Sequence, residues 1–243
     1  PSCPDPSAGT ATNITSSSAD LAWTAGGTET MWDLEYGVAP YVPTGTPTMT
    51  GVANPYNYSG LAPGTTYEFY VRADCGGANG VSAWAGPYSF TTYGDCASSG
   101  TYDYDNNEDF TNAVGFIANT PGDYITLTFT GGITESCCDT WFIMDAADGT
   151  GNVIATGPGS IVGTYESTTG EISFFVDSDG SWSPVSGGGT AGTTWDTFVY
   201  SLSCSPPPSC PDPSALNAAN ITTTSADLGW TENGTATSWE IEY

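Results

Sequence analysis

Residues 61–72, LAPGTTYEFYVR, decide the fold of this chain. Pro63 and Gly64 are turn-forming residues. From Tyr67 to Arg72 apolar and polar side chains alternate, which is the pattern of a strand with one buried and one solvated face. A tyrosine placed just after such a turn is typical of a tyrosine corner, in which the hydroxyl hydrogen-bonds back to upstream backbone. The stretch therefore predicts an antiparallel β-sandwich.

The same alternation occurs upstream, in WDLEY (32–36) and in a strand that ends near Trp23. Taken together, Trp23, the turn with its tyrosine and the closing FTT (90–92) resemble fibronectin type III domains. The resemblance covers residues 1–93 and implies one domain of that family there.

Arg72 is the single basic residue of the chain, against 27 acidic residues, and the chain has no histidine. Trp84 lies on the adjacent final strand, where its indole is placed to stack on the Arg72 guanidinium in a cation–π contact. The alternative is that Arg72 binds a ligand. We expect the structural role.

The net charge of −26 excludes whole classes of function. Nucleic acid and anionic membrane surfaces would be repelled, because binding to either depends on lysine and arginine. Without histidine there is no Ser-His-Asp or Cys-His catalysis and no histidine-ligated zinc. No stretch is apolar over the roughly 20 residues that span a bilayer, so we expect no direct membrane insertion.

The 13% aromatic content argues for a folded core and against disorder.

Residues 1–36 recur without gaps at 208–243, with 24 of 36 positions identical and an offset of 207 residues. A period of this length indicates a repeating unit of domain size. The second copy ends within a predicted strand, so we expect the natural polypeptide to continue and 210–243 to be the start of a second fibronectin type III-like repeat. Residues 206–209 are rich in proline and predict a short, semi-rigid linker.

Residues 94–205 show a different pattern, with clean alternation in YITLTF (124–129). This stretch, CCDTWFIMDA (137–146), FFVDSDGS (174–181) and a last strand ending at Cys204 together resemble CUB domains. The expected fold class is all-β, with tandem antiparallel β-sandwiches, one fibronectin type III-like and one a CUB-like jelly roll.

The CUB resemblance implies a Ca²⁺ site at one end of the sandwich. By that resemblance, its ligands are Glu135, Asp139, Asp179 and Ser181. Two features depart from the family. Glu135 lies only four residues before Asp139, and no cysteine follows at a position suited to the family's second disulfide.

A second, local metal candidate lies in DYDNNED (103–109). Asp103, Asp105, Asn107 and Asp109 alternate, a spacing that lets a tight loop wrap one hard cation with several oxygens. The match to an EF-hand loop is partial, because its glycine and its terminal glutamate are absent, and the alternative is a solvated acidic loop. Since the chain has almost no basic residues to relieve repulsion between carboxylates, we expect Ca²⁺ as the cofactor.

The cysteines indicate a disulfide framework of the kind found in oxidising compartments. The candidates are Cys3 with Cys75, Cys96 with Cys204, and the adjacent Cys137 and Cys138. The adjacent pair can form a vicinal disulfide, or each member can pair with Cys96 or Cys204. We expect a structural role for Cys137 and Cys138, since no basic neighbour stabilises a thiolate.

Trp182, in GSWSP (180–184) beside the glycine-rich loop 186–192, is the best candidate for an exposed, carbohydrate-binding aromatic residue. The alternative is that its ring folds back onto the sheet.

These observations favour a non-catalytic repeat unit of an extracellular adhesin or surface filament, stabilised by calcium and located at the cell surface. CPDP (3–6) and RADCG (72–76) are similar to modules in secreted, multidomain surface proteins of the Bacteroidota. The expected partners are neighbouring repeats, like chains in a filament and surface carbohydrate. The alternative is an accessory binding module of a secreted hydrolase whose catalytic domain lies elsewhere. A carboxylate pair would suffice for glycosidase chemistry, but no Asp or Glu lies in a recognisable catalytic motif.

Overall fold

The computed structural model describes residues 3–187, 195–207 and 212–242. The chain divides into two compact units, Pro1–Ser205 and Pro206–Tyr243. In the described residues the regular structure is almost entirely antiparallel β-strand, so the predicted all-β fold class is confirmed. Among those residues, no helix is both long enough and apolar enough to cross a membrane.

From residue 3, where the described chain begins, the first sandwich of the first unit has eight strands. They are β1 (Ser7–Thr12), β2 (Ser18–Thr24), β3 (Trp32–Val38), β4 (Met49–Val52), β5 (Tyr56–Ser59), β6 (Thr66–Gly76), β7 (Gly80–Val81) and β8 (Ala85–Thr91). One sheet has the order β1-β2-β5. The other has the order β4-β3-β6, and β6 also pairs with β7 and β8. The long strand β6 therefore organises the second sheet.

The side chains of β6 alternate between buried and partly exposed positions, as the sequence predicted. Tyr67 and Phe69 are buried and share one core with Leu21 and Trp23 of β2, because period-two alternation directs every second side chain to the same face. The backbone N–H of Ala62 donates a 2.9 Å hydrogen bond to the Tyr67 hydroxyl. The predicted tyrosine corner is confirmed.

Strand β3 differs from the expected half-solvated strand. Trp32 lies in the core as predicted, but Asp33 and Glu35 on the opposite face are only 4% and 0% exposed. The Arg72 guanidinium covers Asp33, and the loop that follows β3 covers Glu35. The local pattern could not indicate this burial, because the covering groups come from other elements.

In the described part of the second sandwich, residues 94–187 and 195–205, there are again eight strands. They are β9 (Ser99–Tyr102), β10 (Val114–Ile117), β11 (Tyr124–Ile133), β12 (Thr140–Met144), β13 (Val153–Gly157), β14 (Gly163–Ser167), β15 (Glu171–Asp177) and β16 (Asp196–Ser205). Its two antiparallel sheets have the orders β10-β15-β12-β13 and β14-β11-β16-β9. Inward side chains of both sheets form a separate core, in which the rings of Phe129 and Phe174 lie 5.0 Å apart.

Backbone hydrogen bonds join the two sandwiches at Tyr93 and Gly94. The N–H of Tyr93 donates to Thr15 of the first sandwich (3.2 Å), and the N–H of Gly94 donates to Gly115 of the second (2.9 Å). Ile117 in turn donates to the Gly94 carbonyl (3.0 Å). Two consecutive residues are therefore fixed to different domains, which explains why both sandwiches fall within one compact unit.

The second unit contains β17 (Ser214–Ala219) paired with β18 (Asp227–Thr231). It repeats local geometry of the first sandwich. The side-chain amide of Asn13 donates to Asp20 at 2.8 Å, and that of Asn220 donates to Asp227 at 2.7 Å. Part of the predicted linker, residues 208 and 209, lies outside the described residues, as does Cys210.

Indole pairs also recur in the second unit. The rings of Trp23 and Trp32 lie 5.6 Å apart, and those of Trp230 and Trp239 lie 5.4 Å apart. Leu228, the counterpart of the fully buried Leu21, is 53% exposed. The sequence repeat is thus also a repeat of hydrogen bonds and ring packing, although the same apolar face is covered in the first copy and open in the described part of the second.

Candidate metal centre

One end of the second sandwich gathers three carboxylates from two loops. Glu135 and Asp139 lie in the loop between β11 and β12, and Asp179 follows β15. One carboxylate oxygen from each residue lies within 4.8 Å of the others. Glu135 and Asp139 are buried, whereas Asp179 is exposed and opens the cluster to solvent. The structure therefore brings together three of the four residues that the CUB resemblance implied as ligands.

Asp139 is fixed in position by two hydrogen bonds. Its Oδ1 accepts from the backbone N–H of Asp179 at 3.0 Å, which ties the two loops together. Its Oδ2 accepts from the hydroxyl of Tyr104 at 2.8 Å. Ser181, the fourth implied ligand, adjoins the cluster through Asp179, whose Oδ1 accepts from both the N–H and the hydroxyl of Ser181.

Tyr104 is a site residue that the sequence reasoning missed. Its side chain is fully buried, and its hydroxyl accepts a hydrogen bond from the Glu135 N–H at 3.2 Å while donating to Asp139. One hydroxyl thus positions both buried acids. The sequence does contain a signal for it, because Tyr104 is an aromatic residue between two aspartates within DYDNNED. The alternation of oxygen-bearing residues in this stretch gives no indication of a role for the tyrosine.

The electrostatics of the cluster disfavour its charged form. Burial raises the pKa of Glu135, and the charges of Asp139 and Asp179 raise it further. Burial also raises the pKa of Asp139, and the hydrogen bonds from Asp179 and Tyr104 offset only part of that effect. The chain's single basic side chain, Arg72, is bound to Asp33 in the other sandwich. A cation that neutralises the cluster must therefore come from outside the chain.

The environment of the Glu135 carboxylate shows whether a metal ion fits the cluster. The residue is 5% exposed, and its Oε2 has no hydrogen-bond partner among the described residues. A buried acceptor without a partner costs about 1–3 kcal/mol, and more when it is charged. The three residues offer hard carboxylate oxygens, the ligands that Ca²⁺ takes at about 2.3–2.6 Å. The donor set is thus suited to Ca²⁺.

In the acidic stretch 103–109, two of the predicted ligands accept hydrogen bonds from other protein groups. The Asp105 carboxylate accepts hydrogen bonds from the hydroxyls of Ser183 and Ser186, and Asp109 caps the short 3₁₀ helix Phe110–Asn112. These hydrogen bonds hold the pKa of both aspartates below its ordinary value. The carboxylates of Asp103, Asp105 and Asp109 do not gather as a metal-ligating group within the described residues. The Asp105 and Asp109 side chains are thus engaged by hydroxyl and N–H donors, and a cation in this loop stays a prediction.

The backbone of this stretch instead supports the cluster. The N–H of Asn107 donates to the Asp179 carbonyl at 2.8 Å, and the N–H of Glu108 donates to the Ser178 hydroxyl at 2.9 Å. The Ser178 hydroxyl donates onward to the carbonyl of Asp105 at 2.7 Å. The loop therefore anchors the turn that carries Asp179.

Trp182 lies just after this turn and is half-buried, with a positive φ of 61°. A positive φ is uncommon for a residue other than glycine. Of the glycine-rich loop beside it, residues 188–192 lie outside the described residues. The indole is thus neither fully exposed nor folded completely into the core.

Among the described residues, three disulfides are present. They are Cys3–Cys75, Cys96–Cys204 and the vicinal Cys137–Cys138. The first lies within the first sandwich and the second within the second sandwich. Cys137 and Cys138 are bonded to each other. Of the alternatives that the sequence left open for Cys137 and Cys138, the structure contains the vicinal disulfide.

The fold defines a class, the tandem β-sandwich proteins with a disulfide inside each sandwich. Within it, residues 4–90 match the family model described as Fibronectin type III domain, so the first sandwich is assigned to that family. A disulfide-bonded domain of this type indicates an extracellular or secreted protein.

Two solved structures of fibronectin type III domains resemble the chain with low TM-scores. The chain is similar to the FN1–FN3 domains of chicken CNTN1, with 12% identity, 95% of this chain and 76% of that chain covered, and a TM-score of 0.32. It is also similar to a two-domain fibronectin type III segment of chicken tenascin, with 12% identity, coverage of 80% and 98%, and a TM-score of 0.28. No curated protein matches the chain.

Proposed function

We propose that the chain is a non-catalytic repeat unit of an extracellular adhesin or surface filament, with a CUB-like middle domain that Ca²⁺ stabilises. The observation that carries the calcium part is the buried cluster of Glu135, Asp139 and Asp179, which has no basic partner within the chain. Two buried carboxylates without compensation destabilise a fold unless a cation is bound or protons are taken up.

The repeat supports the adhesin or filament part. Sequence, strand register and side-chain hydrogen bonds recur at an offset of 207 residues. Fibronectin type III domains are typically non-catalytic modules, and repetition of such modules builds extended proteins rather than a single active site. The net charge of −26 keeps like surfaces apart, so association between chains in a filament would draw on divalent cations.

The partners in this role are neighbouring repeats, like chains in a filament and surface carbohydrate. The sequence repeat supports neighbouring repeats and like chains as partners. The similarity of the modules to secreted surface proteins of the Bacteroidota supports a location at the cell surface. A surface carbohydrate is proposed at Trp182 because its indole is partly exposed beside a turn rich in hydroxyl groups. Binding of the full chain to a glycan array probes this last contact.

Thermal unfolding of the full 243-residue chain, in Ca²⁺ and then in excess EDTA, tests the calcium site. Ligand linkage predicts a stabilisation of about 3–4 kcal/mol at 100–1,000 times the dissociation constant. Glu135→Gln and Asp139→Asn should each abolish this difference. In EDTA both variants should be at least as stable as the parent, since each removes one of two neighbouring buried charges.

Asp103→Asn is the matched control. It removes an exposed aspartate outside the cluster and should keep the full response to Ca²⁺. Equal melting temperatures of the parent in Ca²⁺ and EDTA, with no Ca²⁺ uptake, would refute the site. Loss of the response in Asp103→Asn would move the site to the 103–109 loop.

A further inference from the structure

The vicinal disulfide lies inside the loop that carries two of the three clustered carboxylates. Glu135 and Asp139 are buried, whereas Cys137 and Cys138 between them are exposed. The members of the other two disulfides are only partly exposed. A reductant in solution therefore has the freest access to the Cys137–Cys138 bond.

Cys137 directly contacts a carboxylate of the cluster. Its Sγ lies 3.2 Å from Glu135 Oε1. A disulfide sulfur carries no hydrogen, so this contact supplies no hydrogen bond to the oxygen. Since Oε2 also has no partner, neither oxygen of Glu135 receives a hydrogen from the described residues, and both are free for a cation.

The loop is anchored at its ends and restrained in its middle by the disulfide. The Asp139 N–H donates to the Glu135 carbonyl at 3.3 Å, and the Thr134 hydroxyl donates to the Asp139 carbonyl at 3.2 Å. Between these contacts the two exposed cysteines are joined in a ring through their own peptide bond. A ring of this kind removes backbone freedom that would otherwise be lost when a cation is bound.

We propose that the Cys137–Cys138 disulfide controls the affinity of the cation site, so that the oxidised loop binds Ca²⁺ more tightly than the reduced loop. This inference rests on the proposed function. Reduction acts in two ways: it frees the middle of the loop, and it gives Cys137 an S–H that can donate to Glu135 Oε1, an oxygen that the disulfide leaves free for the cation. The Cys137–Cys138 bond therefore makes the centre a thiol-responsive calcium site.

The reductant is a dithiol. One of its thiolates attacks a sulfur of the pair, the S–S bond breaks, and a mixed disulfide forms. The second thiolate of the reductant then displaces the protein sulfur. Two electrons pass to the protein, which ends with two thiols, and the reductant ends as a cyclic disulfide.

The coupling is reciprocal. If oxidation strengthens Ca²⁺ binding by a given factor, bound Ca²⁺ must make the disulfide harder to reduce by the same factor. We expect a factor of about ten, which corresponds to a shift of about 30 mV in the reduction potential of the pair.

Calorimetric Ca²⁺ titration of the full chain tests the inference. The Cys137→Ser/Cys138→Ser variant frees the loop and places a hydroxyl donor beside Glu135, so it should bind Ca²⁺ about tenfold more weakly than the oxidised parent. The Cys137→Ala/Cys138→Ala variant only frees the loop, so it should also bind Ca²⁺ more weakly than the parent, but by a smaller factor. Cys3→Ser/Cys75→Ser removes the disulfide of the other sandwich and should bind Ca²⁺ as the parent does.

A second measurement uses the unaltered chain, so it does not depend on the folding of a variant. Alkylation and mass spectrometry follow the reduction of Cys137 and Cys138 in dithiol buffers, with Ca²⁺ and with EDTA. Ca²⁺ should shift the midpoint by the factor found in the titration. Equal affinities and an unshifted midpoint would overturn this inference and leave the calcium site standing, whereas absence of Ca²⁺ binding by the oxidised parent would overturn the proposed function itself.

Discussion

Arg72, the single basic side chain, lies between an indole and a carboxylate. Its guanidinium carbon is 4.6 Å from the centre of the Trp84 ring, so the predicted cation–π contact is confirmed. Its Nη2 also lies 2.9 Å from Asp33 Oδ2, a pairing that the sequence did not suggest. Since Asp33 is 4% exposed, the arginine compensates a buried charge as well as stacking on the indole.

Replacement of Arg72 should therefore cost more than the loss of stacking. Arg72→Met leaves the Asp33 carboxylate buried without its partner, and we expect the free energy of unfolding to fall by about 3 kcal/mol. Trp84→Leu removes the cation–π contact but keeps the ion pair of Arg72 with Asp33, and it should cost about 0.5–2 kcal/mol. Urea unfolding of both variants and of Arg72→Met/Asp33→Asn provides the measurement. The double variant should recover much of the loss, and a single Arg72→Met change without effect on stability would contradict this account.

At the scale of the element, Glu35 holds the loop after β3 against the sheet. Its Oε1 accepts hydrogen bonds from the Thr44 hydroxyl at 2.7 Å and from the Tyr41 hydroxyl at 3.1 Å, and its Oε2 accepts from the Gly45 N–H at 3.0 Å. Burial alone would raise the pKa of Glu35, but these donors outweigh it and bring the pKa below its ordinary value of 4.5. One fully buried carboxylate thus fixes a whole loop.

The lowered pKa of Glu35 predicts how stability depends on pH. A carboxylate with a lower pKa in the folded state stabilises the fold above its ordinary pKa, and the contribution is lost as the pH falls through the folded value. Glu35→Gln should cost about 1–3 kcal/mol at pH 7, and the difference from the parent should shrink below pH 4.5. Unfolding free energies measured across this range check the prediction. Glu166→Gln, on the exposed face of β14, is the control and should change little at any pH.

At the scale of the whole molecule, Tyr93 and Gly94 couple two separate cores into one compact unit. The Gly94 position is restricted, because a Cβ built there would overlap the Phe116 ring and lie 2.8 Å from the Ser98 hydroxyl. Only a glycine lets the backbone approach β10 closely enough for its hydrogen bonds with Gly115 and Ile117. The joint between the sandwiches is therefore a part of the second fold rather than a free linker.

Gly94→Ala should disrupt this joint. Forcing a methyl group against Phe116 costs about 1–3 kcal/mol, and the unfolding transition of the two sandwiches should separate into two. Scanning calorimetry of the full chain measures both effects, with Ala97→Ser in the same segment as the control. Two well-separated transitions already present in the parent would show that the sandwiches are not coupled.

The limits of sequence reasoning are clearest at the candidate metal centre. Glu135, Asp139 and Asp179 come from a family resemblance, and the structure places them together. Asp105 and Asp109 came from spacing along the chain, and in the structure their carboxylates accept hydrogen bonds from hydroxyl and N–H donors. Spacing describes only neighbours in sequence, whereas the two hydroxyl donors to Asp105 lie 78 and 81 residues further along the chain.

By itself, the sequence determined what depends on local pattern: the all-β fold class, the strand alternation of β6 and β11, the tyrosine corner and the 207-residue repeat. These features follow from the period of two along a strand and from turn chemistry, which neighbouring residues specify. The tertiary structure alone decided the burial of Asp33 and Glu35, the role of Tyr104 and the vicinal pairing of Cys137 with Cys138. Each of these depends on which distant groups meet, and that is set by the packing of loops at the ends of the sandwiches and not by any local run of residues.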